Sequence, residues 1–161
     1  MAILTQSGRV AMARSVKAQE IFLAWGTGSD EWGLTPPTEG MITSTALVHE
    51  VGRRICENVQ FCVADDQGDI ITPTGRFSAS VAPTNLLHFQ VLFDFTDGTG
   101  YNIREFGLFT NTVVNSGLPE GQKYFTPDQI TDIGSLLSVE RCAPIYRQAM
   151  TREIENFVIT F

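Results

Sequence analysis

Between Leu86 and Phe95 every second residue is large and apolar: Leu87, Phe89, Val91, Phe93 and Phe95. Successive side chains of a strand point to opposite faces, so a period of two puts all of them on one side. A helix would scatter them around its circumference. Burial is worth about 1.5–3 kcal/mol for each, roughly 8–15 kcal/mol together as an upper bound. That is comparable with the whole net stability of a domain, about 5–15 kcal/mol. The chain must therefore fold around a sheet that hides this face. The other face carries Leu86, His88, Gln90, Leu92 and Asp94 and is mixed in character. A second layer or a neighbouring subunit is expected to cover it, which makes Leu86, His88 and Leu92 interface candidates.

The remaining elements follow from local patterns. Residues 5–19 read as a helix, with Thr5 or Ser7 as its cap and Val10, Ala13 and Val16 at helical spacing. Ile21, Leu23 and Trp25 then alternate with Phe22 and Ala24, which describes a strand buried on both faces. From Gly26 to about Ser44 the chain is turn-rich, with four glycines and the pair Pro36-Pro37. A loop of this length is often functional or lies against a partner. Trp32 within it either tucks back on the core or anchors an interface. Further strands are predicted over 52–64, 76–82, 101–109, 135–146 and 153–161, and the last ends on apolar Phe161, another interface candidate. The Gly/Asp turn at 96–100 predicts a hairpin that joins 86–95 to 101–109. The expected fold is α+β and mostly β: an antiparallel sheet or sandwich with an N-terminal helix packed on it and a long loop at 26–44, in a single domain, 1–161.

Composition narrows the function. The 161 residues are 43% hydrophobic but only 18% charged, below the usual quarter, a mild sign that a partner covers part of the surface. The net charge of -7 and the lack of any basic cluster argue against general nucleic-acid binding. Arg53-Arg54 is expected to be a solvated pair at a strand edge. Cys56, Cys62 and Cys142 are odd in number and form no CxxC, so free thiols in a reduced compartment are expected. No run of about 18 apolar residues is present to span a membrane, and no signal-peptide core opens the chain, so synthesis in the cytoplasm without export is expected.

Chemistry-bearing patterns are sparse. His49 and His88 have no metal-ligand spacing. Asp65, Asp66 and Asp69 cluster, but Gln67 and Gly68 break the calcium-loop pattern, so a solvated turn is expected. Gly26-Thr27-Gly28 lacks the third glycine and the basic residue of a phosphate loop. No nucleophile-elbow signature occurs. No cofactor, metal or enzymatic activity is expected. Were the chain a small hydrolase with paired carboxylates, Glu50 and Glu105 would be the residues to test.

The segment Tyr101-Asn102-Ile103-Arg104-Glu105-Phe106-Gly107-Leu108-Phe109 resembles a strand of phage tail-collar and tail-fibre N-terminal domains. In the same order, Leu4-Thr5-Gln6-Ser7-Gly8 resembles the opening of that family's first helix. Phe22-Leu23-Ala24-Trp25-Gly26-Thr27-Gly28 resembles its strand ending in a GxG turn, and Thr45-Ala46-Leu47-Val48-His49-Glu50-Val51 a further segment of it. The resemblance implies a structural protein in the virion tail of a tailed bacteriophage, made in the host cytoplasm. Its partners would be other tail or baseplate proteins and further copies of itself, and its role that of a baseplate or tail-fibre attachment adaptor. A head–tail connector or neck component is the alternative. A full fibre would continue past such a domain, so a chain ending at Phe161 is expected to be a short adaptor. Within the motif, Ile103, Glu105 and Gly107 share one face of a strand, and Arg104 faces the other way. Arg104 and Glu105 therefore cannot simply pair with each other. Either they are exposed hairpin charges, or each is buried with its own partner, because an unpaired buried charge is costly. Gly107 would allow close backbone approach or a bulge.

Overall fold

The computed structural model describes residues 1–161. It is mostly β with one helix, as the patterns predict. Helix α1 (Gln6–Lys17) is followed by twelve strands: β1 (Ile21–Gly26), β2 (Glu50–Ile55), β3 (Asn58–Ala64), β4 (Ile70–Thr72), β5 (Gly75–Ala79), β6 (Leu86–Phe93), β7 (Asn102–Thr110), β8 (Val113–Val114), β9 (Tyr124–Phe125), β10 (Ile130–Asp132), β11 (Ser135–Tyr146) and β12 (Glu153–Thr160). The residues fall into two compact groupings. One comprises Met1–Gln19, Cys56–Leu92 and Ile154–Phe161, the other Glu20–Ile55 and Phe93–Glu153.

The first grouping holds α1 and the sheet ordered β12-β6-β3-β5-β4. Thr5 caps α1, its hydroxyl accepting from the Gly8 N–H at 3.1 Å, which satisfies one of the free amides of the first turn. Lys17 in the last turn lies 5.9 Å from the centre of the Phe61 ring. Leu87, Phe89 and Val91 of β6 are fully buried, as their alternation requires. On the mixed face of the same strand Leu86, Gln90 and Leu92 are half-buried. His88 is buried, its ring 3.1 Å from Gln60 on β3 and 2.9 Å from Asn156 on β12.

The second grouping holds the sheet ordered β11-β7-β1-β2-β9 and the small pair β10-β8. β1 lies between β7 and β2 and is buried along its whole length, which is why both of its faces are apolar. Phe22, Ala24, Leu47, Phe109 and Phe125 form a core on which Leu136, Val139 and Ile130 pack. Phe93 stacks on Trp25, with ring centres 3.5 Å apart, and meets Tyr124 edge-on at 6.4 Å.

Several expectations are corrected. The stretch 52–64 is two strands: β2 pairs with β1 and β9, and β3 with β6 and β5. Only Cys56 and Glu57 separate them, and a break of two residues leaves the odd–even alternation unchanged, so the pattern does not report it. The hairpin between β6 and β7 does not form. β7 is flanked by β11 and β1, β6 by β12 and β3. β6 stops at Phe93, where Asp97 accepts from the Asp94 N–H at 2.8 Å, and Phe95 is exposed. Arg53 and Arg54 are not solvated but buried. Arg53 binds both oxygens of Glu50 at 2.7 and 2.6 Å and lies 4.1 Å over the Phe109 ring, and Arg54 pairs with Asp97 at 2.5 Å.

Candidate assembly site

β1 ends at Gly26, and the chain does not re-enter the sheet until Glu50. The two ends of this excursion are tied by the Thr27 N–H, which donates to the His49 carbonyl at 2.9 Å. The His49 Nδ1 donates to the Gly28 carbonyl at 2.8 Å. Gly28 takes a φ of 64°, a conformation that disfavours a side chain, and a Cβ there would also collide with the Trp32 ring. Trp32 thus folds back over the start of its own loop and is half-buried.

Two arginines hold it there. The guanidinium of Arg104 lies 5.5 Å from the Trp32 ring centre and that of Arg141 lies 4.6 Å from it, both at cation–π distance. Arg104 donates to the carbonyls of Ser29 at 3.2 Å, Trp32 at 2.8 Å, and Gly33. Arg141 donates to Pro37 at 2.8 Å and Glu39 at 3.3 Å. The backbone of an otherwise irregular loop is therefore satisfied by side chains of β7 and β11, as buried or half-buried carbonyls require.

Glu105 completes the arrangement. It is only 1% exposed; one oxygen accepts from the Val48 N–H at 2.7 Å and the other from Arg141 Nε at 3.2 Å. Gly26 faces the same carboxylate, since a Cβ there would lie 3.2 Å from it. Of the two readings of Arg104 and Glu105, the structure has both buried, each with its own partners. Gly107 serves close approach: a Cβ would meet Leu47 and Phe109 at 2.9 Å and Leu136 at 3.0 Å. Ile103 is buried in the same strand. Three of the four segments that carried the family resemblance, 22–28, 45–51 and 101–109, thus converge on Glu105.

The remaining predicted residues lie elsewhere. Leu86 and Leu92 are half-buried on β6, His88 is buried, and the Phe161 N–H donates to the Asn85 carbonyl at 2.9 Å. These belong to the first grouping, whereas Trp32 and the Ile103–Gly107 motif belong to the second. Sequence reasoning did not single out Arg141 or the exposed loop residues Leu34 (80%) and Ile42 (99%), and Val48 entered only within the segment 45–51. The only signal for Arg141 was a charge inside an apolar strand pattern. Ile42 also borders an open groove of about 320 Å³ with Met41 and the β11 residues Leu136, Leu137 and Val139.

Chemically the arrangement positions a loop. Glu50 and Glu105, the carboxylates singled out for a hydrolase, are each bonded to an arginine. No three His, Cys, Asp or Glu side chains come together as a metal site would need. No curated protein matches the chain. The family model described as "baseplate wedge 3 tail fiber network component" matches residues 1–161. That match takes in α1, the clamped loop and every strand, and by it the chain belongs to this family of structural phage baseplate proteins.

Proposed function

We propose that the chain is a single adaptor domain in the phage baseplate, joining the tail-fibre network to its neighbours by complementary surfaces and without turnover. What carries the reading is the family match over residues 1–161, joined to the loop that Arg104 and Arg141 hold in one shape with Leu34 and Ile42 at its surface. A loop fixed in this way presents apolar anchors to a partner, the role that a buried aromatic or aliphatic anchor plays at interfaces. The partners are other tail proteins and further copies of the chain, assembled into the virion tail after synthesis in the host cytoplasm.

The test is complementation of a phage lacking this gene. Leu34→Asp/Ile42→Asp alters only exposed side chains, so the variant folds with the wild-type melting temperature. Expected are virions that lack the variant by mass spectrometry and have lost their fibres. Normal incorporation and infectivity overturn the proposed contact. Absence of the wild-type chain from purified virions overturns the whole reading. Catalysis is tested separately by zymography on host cell walls, where a lytic band from the pure protein would count against a purely structural role.

A further inference from the structure

Positive charge is unevenly placed in this chain. Against 18 acidic residues it has 11 Lys and Arg, and the arginines of the strands are largely committed to internal partners, as with Arg53, Arg104 and Arg141. Residues 1–19 are the exception. They carry Arg9, Arg14 and Lys17 and no acidic residue. Arg14 and Lys17 are exposed and Arg9 is half-exposed. Only Ala13 of α1 is buried, and Ile3, Leu4 and Met12 stand exposed beside the basic residues. The helix thus offers a basic, apolar surface on a protein of net charge -7.

The clamped loop is its complement. From Gly26 to Gly52 there is no Lys or Arg, and Asp30, Glu31 and Glu39 are all exposed around Leu34 and Ile42. We infer that α1 of one copy docks on the acidic loop 26–44 of the next, so that this chain assembles head to tail. Like charges oppose the alternatives, because α1 against α1, or loop against loop, sets charges of one sign together. A contact between two different patches is heterologous, and repeats of it either close into a ring or continue. The proposal rests on the adaptor reading only in placing that ring or row in the baseplate; the contact itself follows from the charges.

The experiment is sedimentation velocity on the purified full chain over a range of concentrations and salt. Wild type is expected to self-associate, and to do so less as salt rises. Reversal of the helix (Arg9→Glu/Arg14→Glu) or of the loop (Asp30→Lys/Glu31→Lys/Glu39→Lys) weakens association by roughly tenfold or more. The chain carrying both reversals regains it, because the charges are again opposite. Circular dichroism checks each fold, and the milder Arg9→Gln/Arg14→Gln replaces the helix reversal if that variant unfolds. A wild type that stays monomeric throughout, a single reversal without effect, or a double reversal that does not restore association overturns the inference. If the chain is nevertheless found in virions, the adaptor reading survives that failure.

Discussion

Replacing Glu105 by glutamine changes one atom and is expected to be among the costliest isosteric substitutions in this chain. The carboxylate is 1% exposed and accepts from Arg141 Nε at 3.2 Å and from the Val48 N–H at 2.7 Å. A glutamine oxygen can serve one of these donors, and its NH2 group then faces the other. Arg141, whose side chain is 9% exposed, loses its counter-charge. Breaking a buried pair in this way costs about 3–5 kcal/mol, because the remaining charge stays out of water. At roughly 2–4 °C per kcal/mol for a chain of this size, the melting temperature falls by roughly 6–20 °C. Urea unfolding followed by circular dichroism measures the loss. Arg141→Met is itself destabilising, since it strands Glu105 and releases Pro37 and Glu39. The double variant removes both charges, so its cost is less than the sum of the single ones, with a coupling of about 2–3 kcal/mol. A Glu105→Gln loss below about 1 kcal/mol, or strictly additive single costs, would refute the reasoning.

Other outcomes follow from the packing. Phe93→Ala removes a fully buried ring stacked on Trp25 and costs about 3–5 kcal/mol in urea unfolding, while Phe93→Asp yields no soluble folded protein. Gly107→Ala drives a methyl group against Leu47, Phe109 and Leu136 and lowers stability by about 1–3 kcal/mol in the same assay; an unchanged midpoint contradicts the close approach. Burial pushes the thiols of Cys56 and Cys62 up to about 12 and about 11, and burial followed by the nearby Asp97 pushes the Tyr124 phenol to about 12. In the unfolded chain these groups ionise near 9.0 and 10.0, so their contribution is complete below about pH 9 and is lost as pH rises toward 11–12. Urea midpoints that stay constant from pH 8 to 11 would contradict this. A disulfide-exchange reagent at pH 8 is expected to label Cys56 and Cys62 only after denaturant is added.

The elements legible in the sequence are those whose signals are local. Thr5 caps the helix within one turn, β1 reads as buried because both of its alternating sets are apolar, and β6 reads from a period of two. What sequence could not supply was which strand lies beside which. β7 was expected to turn back on β6 because a short Gly/Asp turn joins them, yet its neighbours are β1 and β11, chosen by packing far along the chain. Arg53 and Arg54 looked like surface charges because a pattern of single residues does not show that an aromatic ring and carboxylates await them. The segments 22–28, 45–51 and 101–109 stood out in the sequence as separate short stretches that resemble one family. That they meet at a single carboxylate became visible only once the sheet had brought them together.

The order in which the two groupings are threaded bears on when the protein can fold. The chain moves from one to the other at Gln19, back at Ile55, across again at Leu92, and back after Glu153. The second grouping is complete at Glu153, whereas the first draws on both ends of the chain and cannot finish before residues 154–161 are made. Until then β6 lacks β12 along one side, with Leu87, Phe89 and Val91 already in place beside an open row of backbone amides and carbonyls. An unpaired apolar strand is a site for aggregation. During a phage burst, when many copies leave the ribosome together, the time taken to add the last strand becomes a hazard of its own. Any slowing of synthesis between Phe93 and Glu153 would lower the yield of usable protein without changing one contact of the finished fold.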